Sequence, residues 1–321
     1  MRNIRGEEVK NARILTEGAI LLAAFTVLLL LTIYVPLLAV IINFVLPLPF
    51  IMFTAKNQIK FTAAFFVAAL FISFIAGSLM GLSITLIYGT TGAVMGYFIQ
   101  KNKGRTSILI SGTLTFMIGA VILYVISVAF FQFDLFHEML KAFKQSTIQS
   151  QELLKSGMNK EQYKKIVTQN ENMLDMLQVL APSVLIMSSI FSVFVIQLLC
   201  FPIAKRFGIP TPTWGKFREL SLPRSLLWYY LIVLAANLLS HPQKGTYYYA
   251  ALINLTYILE LFMVLQGFAF LYFLFHQRNI SKGVRVVVTI LAFIPIFLSI
   301  IRILGIIDLG LDLRKRFEKK E

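Results

Sequence analysis

Residues 15–35, LTEGAILLAAFTVLLLLTIYV, constrain the fold more than any other stretch. Water solvates so long an apolar run poorly, and a small soluble core could not hide it. At 1.5 Å of helical rise per residue, its roughly 21 residues reach about 31 Å, the hydrocarbon thickness of a bilayer. Glu17 is its only charged residue and sits at its start. A cleaved signal peptide is the rival reading. The run is too long for that, lacks a small-x-small exit, and leads directly into Pro36 and further apolar sequence. It reads as a retained membrane span.

The rest of the chain repeats the pattern. It is 58% hydrophobic and 14% charged, a balance no soluble globular chain could bury. The net charge of +15 would suggest nucleic acid in a soluble protein. Here the lysines and arginines fall in short loops between apolar runs, which is the positive-inside pattern, so no nucleic-acid partner is expected. Cys200 is the sole cysteine and lies in an apolar run, which leaves no disulfide framework and no thiolate metal site. No cofactor is expected.

Arg2, Arg5, Lys10 and Arg13 form a basic flank that stays cytoplasmic while the first helix crosses. The second span follows at once, and Pro36, Asn43, Pro47 and Pro49 predict a kinked or broken helix whose freed carbonyls need other partners. Lys56 and Lys60 mark a cytoplasmic turn. Residues 61–78 and 79–99 read as a third and fourth span joined by a tight turn, Lys101 to Arg105 as the next basic turn, and residues 106–131 as the fifth span. The glycines of the fourth span pair as G-x-x-x-G at Gly77/Gly81 and Gly92/Gly96, spacing that predicts close helix packing.

Residues 132–179 are the only long polar stretch, with six acids against six lysines and so no basic excess to hold them inside. Leu135, Phe136, Met139, Leu140 and Phe143 recur at helical spacing, Gly157 breaks the pattern, and Asn159 with Gln162 forms a capping-box signature. The expectation is an extracytoplasmic helical hairpin. A sixth span follows over 179–204, then a cytoplasmic loop carrying Trp214, Lys216, Arg218 and Arg224 that suits the headgroup layer. Seventh and eighth spans cover 226–240 and 247–275. A last apolar segment, 286–307, sets two rules in conflict, because a full crossing puts Arg314, Lys315, Arg316, Lys319 and Lys320 outside. The reading is therefore an all-α polytopic transmembrane bundle of eight or nine spans, nine if this segment crosses. It divides into a five-span half (1–131), the hairpin (132–179), a second membrane half (180–307) and a charged tail (308–321).

Charged residues deep in apolar segments are costly and so are the first candidates for function. Glu260 lies near the middle of the eighth span, and a helical wheel places it with Tyr257, Thr256 and other residues on one face that could line a polar cavity. Asn254 is a further polar residue of that span, and Arg302 is the candidate charged partner of Glu260. These four, Glu260, Tyr257, Thr256 and Asn254, are the candidate solute contacts, against a purely structural Glu–Arg or Glu–Tyr bond. No H-E-x-x-H, G-x-S-x-G or P-loop is present, so the chain reads as no enzyme, and active transport would need an ion gradient or a separate ATPase module. Asp308 and Asp312 stand at i,i+4 just before the basic tail and read as a salt-bridged interfacial helix.

Several stretches carry a resemblance. TEGAILLAAF (16–25), VPLLAVIINFVLPLPF (35–50), YGTTGAVMGYFIQKNK (88–103), FRELSLPRSLLWYYL (217–231) and RILGIIDLGLDLRKR (302–316) together resemble the YybS family of bacterial multi-pass membrane proteins. That family is in turn distantly similar to the substrate-binding S components of energy-coupling-factor transporters. This second likeness implies a six-span solute-binding unit whose first helix packs an A-x-x-x-A face, here Ala19 and Ala23, on a coupling subunit of an ATPase module. The chain departs from it by adding the hairpin and about three segments, so no pocket positions transfer. Two functions follow as expectations: a small-solute-binding transporter component of the bacterial cytoplasmic membrane, or an envelope scaffold that docks other proteins through its hairpin and cytoplasmic loop.

Overall fold

A computed structural model describes residues 2–155 and 159–314. Gly157 and the tail lysines and Arg316 lie outside the described residues. The described chain is all-helical: α1 (Arg2–Tyr34), α2 (Pro36–Ile42), α3 (Leu48–Lys56), α4 (Ile59–Gln100), α5 (Arg105–Phe131), α6 (Leu135–Lys155), α7 (Lys160–Val179), α8 (Ala181–Arg206), α9 (Ser225–Ser240), α10 (Tyr247–Gln277), α11 (Lys282–Ala292) and α12 (Pro295–Leu311). Five stretches are long and apolar enough to cross a membrane, Asn11–Tyr34, α4, α5, α8 and α10; the bent pair α11–α12 makes up to six. The chain forms two compact units, residues 1–150 with 185–213, and 151–184 with 214–321.

In the first unit, proline chemistry breaks the second apolar segment as expected. Pro36 opens α2, residues 43–47 form a turn, and α3 restarts with Pro49 inside its first turn. The Cys200 thiol donates to the carbonyl of Phe44 at 3.3 Å, supplying one of the partners that the break requires. Lys56 at the end of α3 pairs with Glu17 near the start of the apolar part of α1 at 3.3 Å, so the broken segment runs back beside α1.

Although α4 is continuous by hydrogen bonding, Gly77 (φ −144°, ψ 16°) and Ser78 (φ 50°, ψ −140°) leave helical geometry. The Ser73 and Thr85 hydroxyls, 12 residues apart, hydrogen-bond at 2.6 Å, whereas a straight helix would separate them by about 18 Å. The chain therefore reverses at 77–78 into two arms of about 20 residues, each near 30 Å long. At the far end of the hairpin, the Gln100 amide donates to the carbonyl of Asn57 at 2.9 Å. Arg105 donates to the side chain and carbonyl of Gln197, both at 3.2 Å, and to Pro212 at 3.4 Å. These contacts gather the basic turns at 56–60, 101–105 and 205–206 at one end of the unit, as the charge pattern requires. Phe25, Phe50 and Phe65 fill its centre edge to face, with ring centroids 5.0 and 5.4 Å apart.

In the second unit, α9, α10 and α12 share a core of Leu227, Tyr230, Val233, Leu252, Leu259, Met263 and Leu309. Following α10, α11 turns back along it: the hydroxyls of Tyr272 and Thr289 lie 3.2 Å apart, and Phe268 stacks on Phe293 at 5.1 Å. The chain then bends by 104° into α12. Pro295 causes the bend, because it has no N–H for the preceding turn and holds Ile294 extended (φ −66°, ψ 135°). After Leu311, Asp312 adopts a left-handed conformation (φ 46°) and pairs with Arg224, while Arg314 donates to the carbonyl of Arg218 at 2.9 Å.

By length and composition five of the described helices are candidate spans, or six with the bent α11–α12 pair, against the eight or nine expected. The difference arises because the two arms of α4 count as one helix, the α2–α3 segment is broken and α9 has only 16 residues. The 132–179 stretch holds two helices, α6 and α7. Its local chemistry is present, since Asn159 and Gln162 cap each other reciprocally at the start of α7. Most of α8 belongs to the first unit, where Gly112 lets Val193 approach α5.

Candidate functional site

The carboxylate in the middle of apolar α10 finds a charged partner. Glu260 on α10 forms an ion pair with Arg302 on α12. The two helices come this close because both are stripped to backbone at their crossing. A Cβ at Gly267 would overlap the carbonyl of Ile301, and one at Gly305 would overlap that of Met263. The side chains of Glu260 and Arg302 keep 33% and 31% of their surface uncovered by protein, so the pair is not fully enclosed by the helices.

The other three candidates on α10 turn to different neighbours. Thr256 accepts from the Asn237 amide of α9 at 3.0 Å and donates to the Leu252 carbonyl at 2.7 Å. Asn254 donates to Val179 at 2.6 Å and accepts from the Ser183 backbone at 3.0 Å and from its hydroxyl at 2.6 Å, fixing the join of α7 and α8. Tyr257 is half-buried. Thr256 and Asn254 are thus engaged by protein, and Glu260 and Arg302 carry the free polar surface.

A second polar site forms where the 217–224 loop meets the end of α12. Asp308 is buried, with 2% of its side chain exposed, and accepts from the Gln266 amide at 2.6 Å and from Arg314 Nε at 3.0 Å. The Gln266 carbonyl oxygen in turn accepts from the backbone N–H of Leu222 at 2.9 Å. Arg314 also lies 5.8 Å from the centre of the Phe273 ring. Above this network opens a cleft of about 300 Å³ walled by Arg218, Glu219, Ser221, Arg224, Phe273, Asp308, Leu309, Asp312 and Arg314. Its two walls are FRELSLPR and IIDLGLDLR, parts of the two stretches that carry the YybS resemblance near the C-terminus. The i,i+4 carboxylates signalled this site, and the salt bridge expected with the arginines that follow is present between Asp308 and Arg314. The contacts with distant residues, Asp308 to Gln266 and Asp312 to Arg224 of the loop, were not foreseen.

The small residues selected for packing separate into groups. Gly92 and Gly96 face α3, where an added Cβ would sit 2.6 Å from the Pro47 carbonyl and 2.7 Å from that of Ile51. Gly81 faces Ser73 across the α4 reversal, at 2.5 Å from its carbonyl. Gly77 lies in that reversal, and both it and Gly81 face the Ile33 side chain. Ala19 and Ala23 are exposed on the outer side of α1, opposite the buried Gly18, Phe25 and Leu29. Gly267 and Gly305, more tightly packed than any of these, stand in different helices and have no spacing for a sequence pattern to detect.

Comparison with known proteins agrees with a membrane protein. The family model described as predicted membrane protein (DUF2232) matches residues 23–309. The Bacillus subtilis (strain 168) protein described as uncharacterized protein YybS is 33% identical over 309 residues, which cover 96% of this chain and 99% of that protein. No solved structure matches the chain.

Proposed function

The chain belongs to the DUF2232 family of predicted membrane proteins, and on that footing we propose that it is a non-enzymatic, solute-binding component of the bacterial cytoplasmic membrane. In this reading the chain crosses eight times: α1, the broken α2–α3 segment, the two arms of α4, α5, α8, α9 and α10. The bent α11–α12 pair enters and returns on the cytoplasmic side. An even count keeps both basic termini inside, which removes the conflict that a ninth crossing creates. The first unit supplies six crossings, the number expected from the likeness to energy-coupling-factor S components, and its exposed Ala19/Ala23 face is the proposed contact for a membrane-coupled ATPase module.

The observation that carries solute binding is the Glu260–Arg302 pair. Charged groups kept only for packing could be exchanged for apolar side chains at little cost or with a gain. A pair held between two apolar helices with a third of each side chain still open offers both a donor and an acceptor to a small polar solute. The test is native mass spectrometry of small molecules retained by protein purified from its own membrane. Retention of a defined solute by the wild type and its loss in Glu260→Gln supports the reading. A ligand-free wild type, or equal retention by the variant, overturns it.

Docking of partner proteins has its own supporting feature. Leu135, Met139, Phe143 and Ile148 on α6, and Met173 and Met176 on α7, are exposed apolar residues on otherwise polar helices. Deleting residues 135–179 would abolish partner capture under this reading and leave solute retention intact.

A further inference from the structure

The cleft between the 217–224 loop and the end of α12 is separate from the Glu260–Arg302 pair, and its donors outnumber its acceptors. Each arginine brings five N–H groups. Arg314 spends two on Asp308 and the Arg218 carbonyl, and its Nη2 has no acceptor. Arg224 pairs with Asp312 yet leaves 60% of its side chain exposed. The closest carboxylate to the Arg218 guanidinium belongs to Glu219, at 3.9 Å, which is ion-pair range but too long for a hydrogen bond. Asp308 is neutralised beneath the floor by Arg314. Glu219, which also lines the open part with 59% of its side chain exposed, is shared at 3.8 Å with Lys216 and at 3.9 Å with Arg218. With Lys216 the cations at this rim therefore outnumber the carboxylates, and the Ser221 hydroxyl lies between Arg218 and Arg224 in sequence.

We propose that this cleft binds a phosphate-bearing anion, either the headgroup of an acidic phospholipid or free inorganic phosphate. The chemistry matches: planar guanidinium forks fit phosphate oxygens bidentately, and a serine hydroxyl adds a neutral donor. The volume of about 300 Å³ takes a phosphoryl group with a short ester stub. The composition also matches, since the loop carries Trp214 and the basic residues Lys216, Arg218 and Arg224, residue types suited to the headgroup layer. Asp312 is the internal competitor, a carboxylate occupying part of Arg224 where the anion would sit.

The experiment uses the full chain in nanodiscs of phosphatidylcholine with and without phosphatidylglycerol, with lipid retention read by native mass spectrometry. A parallel arm follows thermal unfolding in phosphatidylcholine alone, with inorganic phosphate against chloride at equal ionic strength. The Arg218→Gln/Arg224→Gln double variant is expected to lower the response about tenfold, as the loss of charge-assisted hydrogen bonds implies. Asp312→Asn is expected to raise it by a few-fold, a gain that a misfolded variant cannot produce. Lys103→Gln, a basic residue of the first unit, serves as the control for diffuse charge. Selective phosphatidylglycerol retention with this variant pattern identifies a headgroup. The same pattern with phosphate alone identifies the free anion. No selective response in either arm, a double variant that behaves as wild type, no gain in Asp312→Asn, or an equal loss in Lys103→Gln overturns the proposal.

Discussion

Replacing Arg314 by Gln should unfold the second unit more easily than any single substitution on its surface. Arg314 anchors a carboxylate that has only 2% of its side chain exposed, and removing one partner of a buried pair costs about 3–5 kcal/mol. Gln266 still donates to Asp308 at 2.6 Å and offsets about 1 kcal/mol of that. The expected loss is therefore about 2–4 kcal/mol. Asp308→Asn should cost less, about 1–2 kcal/mol, because Arg314 keeps its bond to the Arg218 carbonyl and can extend toward headgroups. With both changes, two neutral amides face each other and no charge is stranded. The double variant should thus lose less than the two single losses combined, with a coupling of about 1.5–3 kcal/mol. Unfolding of the purified protein in mixed micelles by titration with sodium dodecyl sulfate, followed by tryptophan fluorescence, measures all three. Additivity to within about 0.5 kcal/mol would refute the assignment of Asp308 and Arg314 as one buried unit.

Other consequences can be checked separately. In a Cys200→Ala background, Lys216→Cys and Lys319→Cys should react with an impermeant maleimide only after the membrane is opened, while Lys244→Cys reacts in intact cells; labelling of position 319 from outside would restore a ninth crossing. Gly305→Ala drives a methyl into the Met263 carbonyl and should cost about 2–3 kcal/mol, whereas Gly283→Ala in α11 meets nothing within 4 Å and should be neutral or stabilising by up to about 1 kcal/mol. The start of α6 should depend on pH. The His137 backbone N–H donates to Asp134 at 2.9 Å and, with the Tyr124 hydroxyl at 3.0 Å, holds its carboxyl below the usual carboxylate range. A lowered folded value means the cap is complete above about pH 4 and is lost as the pH falls through the folded value. Amide exchange at His137 should accelerate there in the wild type and show no such step in Asp134→Asn.

The sequence alone determined that this chain is helical and lives in a membrane, because apolar runs of bilayer length with cationic connectors leave few other outcomes in water or lipid. It also located the break in the second segment, since proline acts locally through its missing N–H and fixed φ, and the reversal near Gly77, since an apolar stretch twice the bilayer thickness must fold back. It marked Glu260 and named Arg302 as its partner, because a charge at that depth needs one and few are available. Tertiary structure decided what depends on meetings between distant segments. Gly267 and Gly305 are tight only because α10 and α12 cross there. Asp308 and Asp312 differ because one faces Gln266 and the other meets Arg224. The direction that α12 takes after α11 follows from a 104° bend. Hydropathy records how well a segment tolerates lipid, but a bend of that kind leaves the hydropathy of its two arms unchanged, and the loop that receives the chain end lies about 90 residues away in sequence, beyond the reach of any local pattern.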